Sequence, residues 1–529
     1  MPSACICYFY LKQSIMKLIT SFIVLVLLLA SCKKEKSKPA DNSELGDIKI
    51  YATVSDKAEP VLKDAMLLLH SFEYKDAAEK FRETRELDPD CAMAVWGEAM
   101  SFNHPLWREQ NLRKARELME LLGETKDEQR EKFKTEYEKD LFDAMSILYG
   151  DGSKVERDLA YSNYLGELYE KYPDNHEVAS MYALSILGSV RGGRDYEVYA
   201  KGARVAQSVI EKNPNHPGAL HYLIHSYDDP ENAHKALEAA NSYSQVAPDA
   251  GHALHMPSHI YVALGMWDEV IRSNIASWEA SVKRKARKNL TNDALNYHAF
   301  KWLMYGYLQK GENDKARKLV ADMEAYAKEL PSSRAANHVV MMKAAYFTES
   351  GEWGDELLFD TLDYARHSFE TRSVHAFLMG MKAFHDEDKV TLTASKDSMF
   401  AIINHYTNEA LTSSGAAMCS GNYSRETPTQ VDLGRAKVLK MELEAAIAMM
   451  EGDNEKVETI LKSAVDLEQA TSYNYGPPAI VKPASELYAE WLLEQDRPDD
   501  AAKQFELVLE RAPGRLIPTQ YMNRIKEMS

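Results

Sequence analysis

Histidine is unevenly spread along this chain. Of its 16 histidines, seven (His216, His221, His225, His234, His252, His255 and His259) fall within 44 residues, where uniform scatter over 529 residues would put about one. Imidazole is the commonest metal ligand and titrates near neutral pH, so such crowding points to metal or proton chemistry. Spacing sharpens the reading. His221 and His225 lie four apart and share one helix face, as do His255 and His259. The second pair follows the first by 34 residues. In an array with that repeat the two pairs occupy equivalent places on stacked helices roughly 8–10 Å apart, and four imidazoles form a near-square.

Two His from one helix with a third from its neighbour make a ligand set for zinc, copper or nickel. The expected metal ligands are His221, His225, His255 and His259, and the expected cofactor is a divalent transition metal. His252 and His298 are expected at the same rim. Asp228, one turn past His225, supplies with Asp229 a carboxylate able to fix an imidazole tautomer. The ligand-binding set is therefore His221, His225, His252, His255, His259, His298 and Asp228. No catalytic residue is assigned, because Asp228 is the only carboxylate spaced to act as a general base. A structural role stays open: the same rings could cap helices, or bond backbone carbonyls and tyrosines such as Tyr222, Tyr227 and Tyr261. Pro257, between His255 and His259, costs a helix interior ~3 kcal/mol or more. Either a helix begins there, with His252 and His255 on the loop before it, or the helix kinks.

The elements that must position these residues repeat. Beyond Tyr51 the chain reads as amphipathic helices with short polar breaks, and alternating Val/Ile/Thr runs are scarce. Ala77, Phe81 and Pro89 give a small residue, an aromatic four on, and a proline that stops the second helix. Ala501, Phe505 and Pro513 repeat that frame, and Pro214 and Pro248 stand 34 apart. Gly265, Gly311, Gly351 and Gly452 mark further turns. This pattern resembles the tetratricopeptide (TPR) repeat, which implies an all-α, right-handed solenoid of helical hairpins with a concave face. In TPR proteins the positions held by the two histidine pairs commonly line the groove, so the resemblance implies a protein or peptide ligand there. Residues 51–350 are read as one array holding the His cluster and 431–529 as C-terminal repeats. Residues 351–430 are read as an irregular helical segment, and 103–160, long and charged, as a longer or irregular helical insertion.

Composition narrows the class without naming a reaction. Hydrophobic residues make up 45% and charged residues 27%, a globular balance. A net charge of −18 argues against general nucleic-acid binding, which needs basic patches to neutralise phosphate. Five irregularly spaced cysteines make neither a disulfide framework nor paired zinc knuckles. The basic run from Lys283 to Lys288 is read as a solvated helix end. The turn-rich loop from Tyr473 to Pro478 is read as a connection that could close over the groove. No P-loop, G-x-G-x-x-G, G-x-S-x-G or H-E-x-x-H is present.

The first fifty residues read as an address. Met16-Lys17 precedes an apolar run from Leu18 to Ala30, too short for a stable spanning helix and suited to a signal peptide. It ends Leu29-Ala30-Ser31-Cys32, which resembles a bacterial lipobox and implies lipidation at Cys32. Residues 1–15 add nothing a signal needs and are read as a non-native extension. Residues 32–50 are read as a polar tether. Together with His221-Tyr222-Leu223-Ile224-His225 and the run from Gly251 to His259, these features resemble a group of bacterial TPR lipoproteins without an assigned reaction. That implies a lipid-anchored protein of the cell envelope, on the outer membrane facing the periplasm, with the bilayer and a groove ligand as partners. The expected function is a tethered binding scaffold with a His-rich site. A His-ligated metalloenzyme and a SusD-like glycan-binding lipoprotein are the alternatives.

Overall fold

The computed structural model describes residues 44–528 apart from 191–192, 359–363, 366, 411–427 and 474–475. The signal segment, Cys32 and Cys419 lie outside the described residues. Leu45–Ser529 is one compact unit.

Successive helices pair as antiparallel hairpins, and the protein is an all-α TPR-like solenoid. The turns explain why these segments fold as hairpins. A residue in the left-handed region ends the first helix at Phe72, Gly265, Gly311, Gly351, Glu387, Gly452 and Asp496. At six of these seven turns the N–H of the following residue reaches back five residues: Glu73 to Leu68 O, Met266 to Tyr261 O, Glu312 to Tyr307 O, Asp388 to Ala383 O, Asp453 to Ala448 O and Arg497 to Leu492 O. This is the Schellman closure, which satisfies carbonyls a helix end would otherwise leave bare. The small-plus-aromatic frame is buried as its chemistry requires, with Ala77, Phe81, Ala501 and Phe505 inaccessible to solvent. At Gly97 a Cβ would come within 2.0 Å of the Phe81 ring, so only glycine lets the next helix approach.

Three expectations about the framework change. The tether stops short of residue 50: Leu45 and Ile48 are buried, and Asp47 N–H donates to Asn215 O at 2.9 Å. Two apolar residues three apart are enough to dock this otherwise polar strand of chain. Residues 103–160 are not one long insertion. They form a two-stranded antiparallel ribbon, Asn103–His104 with Glu109–Gln110, and then short helices, two of them started by capping boxes at Thr125 and Thr135. Within 351–430, Phe369–His385 and Lys389–Ala410 are regular helices. They bury Phe377, Met381, Leu392 and Met399, and their turn uses Glu387 in place of glycine.

Seven helices carry the site, labelled here in chain order: α1 (Glu59–His70), α2 (His176–Ser189), α3 (Pro217–Ser226), α4 (Gly251–His255), α5 (Pro257–Ala263), α6 (Trp267–Lys288) and α7 (Tyr297–Gln309).

Candidate metal centre

The α3 helix starts with Pro217 at its first turn, and His216 caps it by accepting the Ala219 N–H on Nδ1 at 3.2 Å. His221 and His225 then fall on one face. Pro257 ends α4 and begins α5, while Met256 between them keeps right-handed helical dihedrals, so the chain kinks without leaving its course. The kink frees backbone carbonyls, and serines take them. Ser258 Oγ donates to His255 O at 2.7 Å, and from α6 Ser273 donates to Leu254 O at 2.6 Å and Ser277 to Gly251 O at 2.7 Å. His252 and His255 thus stay helical on α4, with His259 on α5. The α7 helix is capped by Asn296, which accepts the Ala299 N–H, and it carries His298 and Trp302.

Six rings meet, but as two trios rather than a square. One ring nitrogen each of His221, His225 and His252 lie within 4.8 Å of one another, and the same holds for His255, His259 and His298. In the first trio His221 Nε2 is 3.1 Å from His225 Nε2 and 3.2 Å from His252 Nε2. His221 Nδ1 donates to the carbonyl of His70 at 2.8 Å, which fixes its tautomer and leaves Nε2 as a lone pair. A single lone pair cannot serve two imidazole donors well. Three Nε2 atoms at this separation do match the edges of a ligand polyhedron, since zinc–imidazole bonds of about 2.0–2.1 Å set tetrahedral neighbours about 3.3–3.4 Å apart.

The second trio is pinned by side chains. Asn274 Oδ1 accepts from His255 Nδ1 at 2.7 Å, its amide nitrogen being spent on Val270 O at 2.8 Å. Asp228 Oδ2 accepts from His259 Nδ1. This carboxylate–histidine pairing is the arrangement that orients imidazole ligands at metal sites. His225 Nδ1, His255 Nε2 and both nitrogens of His298 are buried without a hydrogen-bond partner among the described residues. A buried bare polar atom costs ~1–3 kcal/mol, so four in one patch are a large uncompensated cost for a purely structural cluster.

Burial sets the electrostatics. It pushes His221 down to about 3 and holds His225, His252, His255 and His298 well below the ordinary histidine range, with neighbouring imidazoles adding to the effect. Neutral imidazole is the metal-binding form. A different cluster lies next door. His70 Nε2 and His216 Nε2 bond the two oxygens of Glu177 at 2.9 and 3.0 Å, and His70 Nδ1 meets Tyr222 OH at 2.9 Å. Burial opposes ionisation of Glu177, but its two histidines hold the carboxyl well below the usual range. With its acceptors and donors matched in pairs, that cluster reads as structural.

Aromatic side chains close the surroundings. Phe72 is buried with φ of 56°, a conformation costing a non-glycine residue roughly 1–2 kcal/mol, and its ring lies 4.3 Å from that of His221. Trp302 packs at 4.5 Å from His259 and 4.9 Å from His255 between ring centres. Gly476 reaches this tryptophan: a Cβ there would fall 2.0 Å from its ring, so glycine is required.

The sequence-predicted residues are brought together with changed roles. His221, His225, His252, His255, His259 and His298 share one cluster, and Asp228 belongs to it through His259. The four expected metal ligands do not form one set: His252 joins His221 and His225, whereas His255 and His259 meet His298 of α7. Nor do the rings line an open groove: His221, His225 and His255 are 0% exposed and His259 1%. Asp229 faces Arg194 at 2.8 Å instead of an imidazole. Tyr222 bonds His70, whereas Tyr261 bonds Asn241 at 2.7 Å, away from the rings. His234 is exposed. Arg284 and Lys288 of the basic run are engaged by Asp76, with Arg284 Nε 2.8 Å and Lys288 Nζ 2.8 Å from it. Sequence reasoning missed His70, Phe72 and Asn274. Only Asn274 carried a signal, standing on the face of α6 with Ser277 and Ser281.

The class defined here is an all-α TPR-like solenoid with a buried histidine cluster. No protein-family model and no curated protein matches the chain. Among solved structures it is similar to the Cut9–Hcn1 hetero-tetramer of the APC/C (12% identity, 91% of this chain and 78% of that one, TM-score 0.37). It is also similar to yeast Tom70 (12% identity, 89% of each chain, TM-score 0.31) and to the human IFIT1 dimer with PPP-AAAA (13% identity, 78% and 72%, TM-score 0.31). Likeness at this level says nothing about ligand or partner.

Proposed function

We propose that this protein is a lipid-tethered TPR-like scaffold whose buried histidine cluster binds a late first-row transition metal. The observation that carries the metal is the convergence of His225 and His252 Nε2 on the single Nε2 lone pair of His221, at 3.1 and 3.2 Å. An ion replaces two donors crowded on one acceptor with three nitrogen–metal bonds. Nitrogen-only ligands favour zinc, copper or nickel over magnesium or calcium, which take oxygen. The test is metal content of the purified protein after exposure to zinc or copper. Stoichiometric metal, reduced by His225→Ala and His259→Ala, is expected. A protein that binds none and melts at the same temperature with or without added ions would refute the reading.

Tethering is supported by the run ending Leu29-Ala30-Ser31-Cys32. No helix of the described residues is long and apolar enough to cross a membrane. Radiolabelled palmitate should enter the protein and be lost in Cys32→Ser; equal labelling of both would refute lipidation. An envelope location and a protein or peptide partner on the solenoid follow from the same reading.

A His-ligated metalloenzyme is the second reading, and one observation favours it. An apolar cavity lined by Met66, Trp96, Tyr161, Met181 and Tyr222 also touches Phe72, whose ring stacks on those of His225 and His252. A small apolar substrate held there would lie one side chain from the ligands.

A further inference from the structure

We infer, resting on the metal-binding reading above, that the cluster holds two ions side by side, one in His221–His225–His252 and one in His255–His259–His298. Four observations carry this. Each trio alone brings three ligand nitrogens within 4.8 Å, the span one ion can gather. Each has its own pinning groups: the His70 carbonyl for the first, Asn274 and Asp228 for the second. Each has nitrogens that an ion would satisfy: in the first, His225 and His252 Nε2 crowd the one Nε2 acceptor of His221, and in the second, His255 Nε2 and the His298 nitrogens are buried without a partner among the described residues. The trios also abut, with ring centres 5.7 Å apart at His225–His259 and 6.2 Å at His252–His255, so two ions would be neighbours inside one protein-walled chamber.

Ligand chemistry identifies the ions by class. Six imidazoles and no carboxylate within either trio suit late first-row ions, copper or zinc. Charge separates the two. Among the described residues Asp228 is the one carboxylate bonded to a cluster imidazole, Glu73 accepts the backbone N–H of His252 at 2.9 Å, and Asp229 is neutralised by Arg194. Two divalent ions would bring four positive charges into this buried space, two monovalent copper ions only two. Burying uncompensated charge is costly, so copper(I) should fill the second trio more completely than zinc(II).

The experiment counts ions. The full chain in detergent, stripped with chelator, is titrated with zinc(II) and, anaerobically, with copper(I), then desalted and analysed for bound metal. Two copper ions per chain are expected, falling to one in His298→Gln and to one in His225→Gln, with circular dichroism confirming that both variants stay helical. A plateau at one ion with copper(I) as well as with zinc(II) would overturn the pair while leaving the single-metal reading in place. No bound ion would overturn both. Two ions lost together in either single variant would show one shared centre and also overturn the inference. Should a variant misfold, the wild-type count decides alone.

Discussion

Acid should unfold this protein through its histidine cluster, and the size of the effect can be worked out. Burial lowers His221, His225, His255 and His298 below their ordinary value, to about 3 for His221. In the unfolded chain each takes up a proton near pH 6.5. Between that pH and the lowered folded value the unfolded state binds more protons, so stability is lost as pH falls. Going from pH 7.5 to 5.5, each imidazole lowers stability by about 1.4 kcal/mol, or about 5 kcal/mol for the four together. His252 is left out of that sum because it is only partly shielded from solvent. Buried carboxyls such as Glu73, raised by burial, act with the opposite sign, so the total is best read by difference. Urea denaturation of chelator-stripped wild type and His298→Gln at the two pH values isolates one imidazole. The variant should lose about 1.4 kcal/mol less than wild type on acidification. Equal losses would mean that His298 is protonated in the folded state or titrates freely, and the burial argument would fail.

Three other outcomes follow from particular contacts. Asp228→Asn should weaken one bound ion by about 10–100-fold in a competition titration with a chromophoric chelator, because the charged acceptor that orients His259 is replaced by a neutral amide oxygen; unchanged affinity would remove Asp228 from the site. At Gly218 a Cβ would lie 2.4 Å from His70 Nδ1, and His70 is held by Glu177 and Tyr222, so Gly218→Ala should cost about 1–3 kcal/mol in denaturation. Glu442 is buried with both oxygens bare, and burial with Glu468 nearby holds its carboxyl well above the ordinary range. The folded state therefore keeps a proton the unfolded chain gives up, stability falls as pH rises past about 4.5, and Glu442→Gln should stabilise by about 1–3 kcal/mol at pH 8 and by less at pH 5.

How much of this was legible in the sequence depended on range. The hairpin frame was readable because it is local: Ala77, Phe81 and Pro89 sit within one repeat, and each residue type has a steric reason to be there. Turns marked by glycine were equally readable at Gly265, Gly311 and Gly452. The turns at Glu387 and Asp496 use the same left-handed backbone without glycine, and the hairpin around Glu387 went unrecognised for that reason. The histidine pairs were legible as a set because their 34-residue spacing is periodic. Their division into trios was not, since it turns on two things periodicity cannot express. The first is the direction of a proline kink whose freed carbonyls are held by serines of α6. The second is a contact between His221 and His70, 151 residues apart.

The strained turn at Phe72 ties these levels together. The left-handed position that glycine fills at Gly265, Gly311, Gly351 and Gly452 is here given to a large aromatic, at a local cost of roughly 1–2 kcal/mol. What that cost secures is placement: the ring lies over His221 and within 6.1 Å of His225 and 5.6 Å of His252 between centres, while Phe72 also touches an apolar cavity. A glycine would close the turn more cheaply and place no ring against the trio. Glu387 and Asp496 also take that position without glycine, but Phe72 is the one whose ring touches both the first trio and the cavity, and strain kept at such a position is where function is ordinarily found.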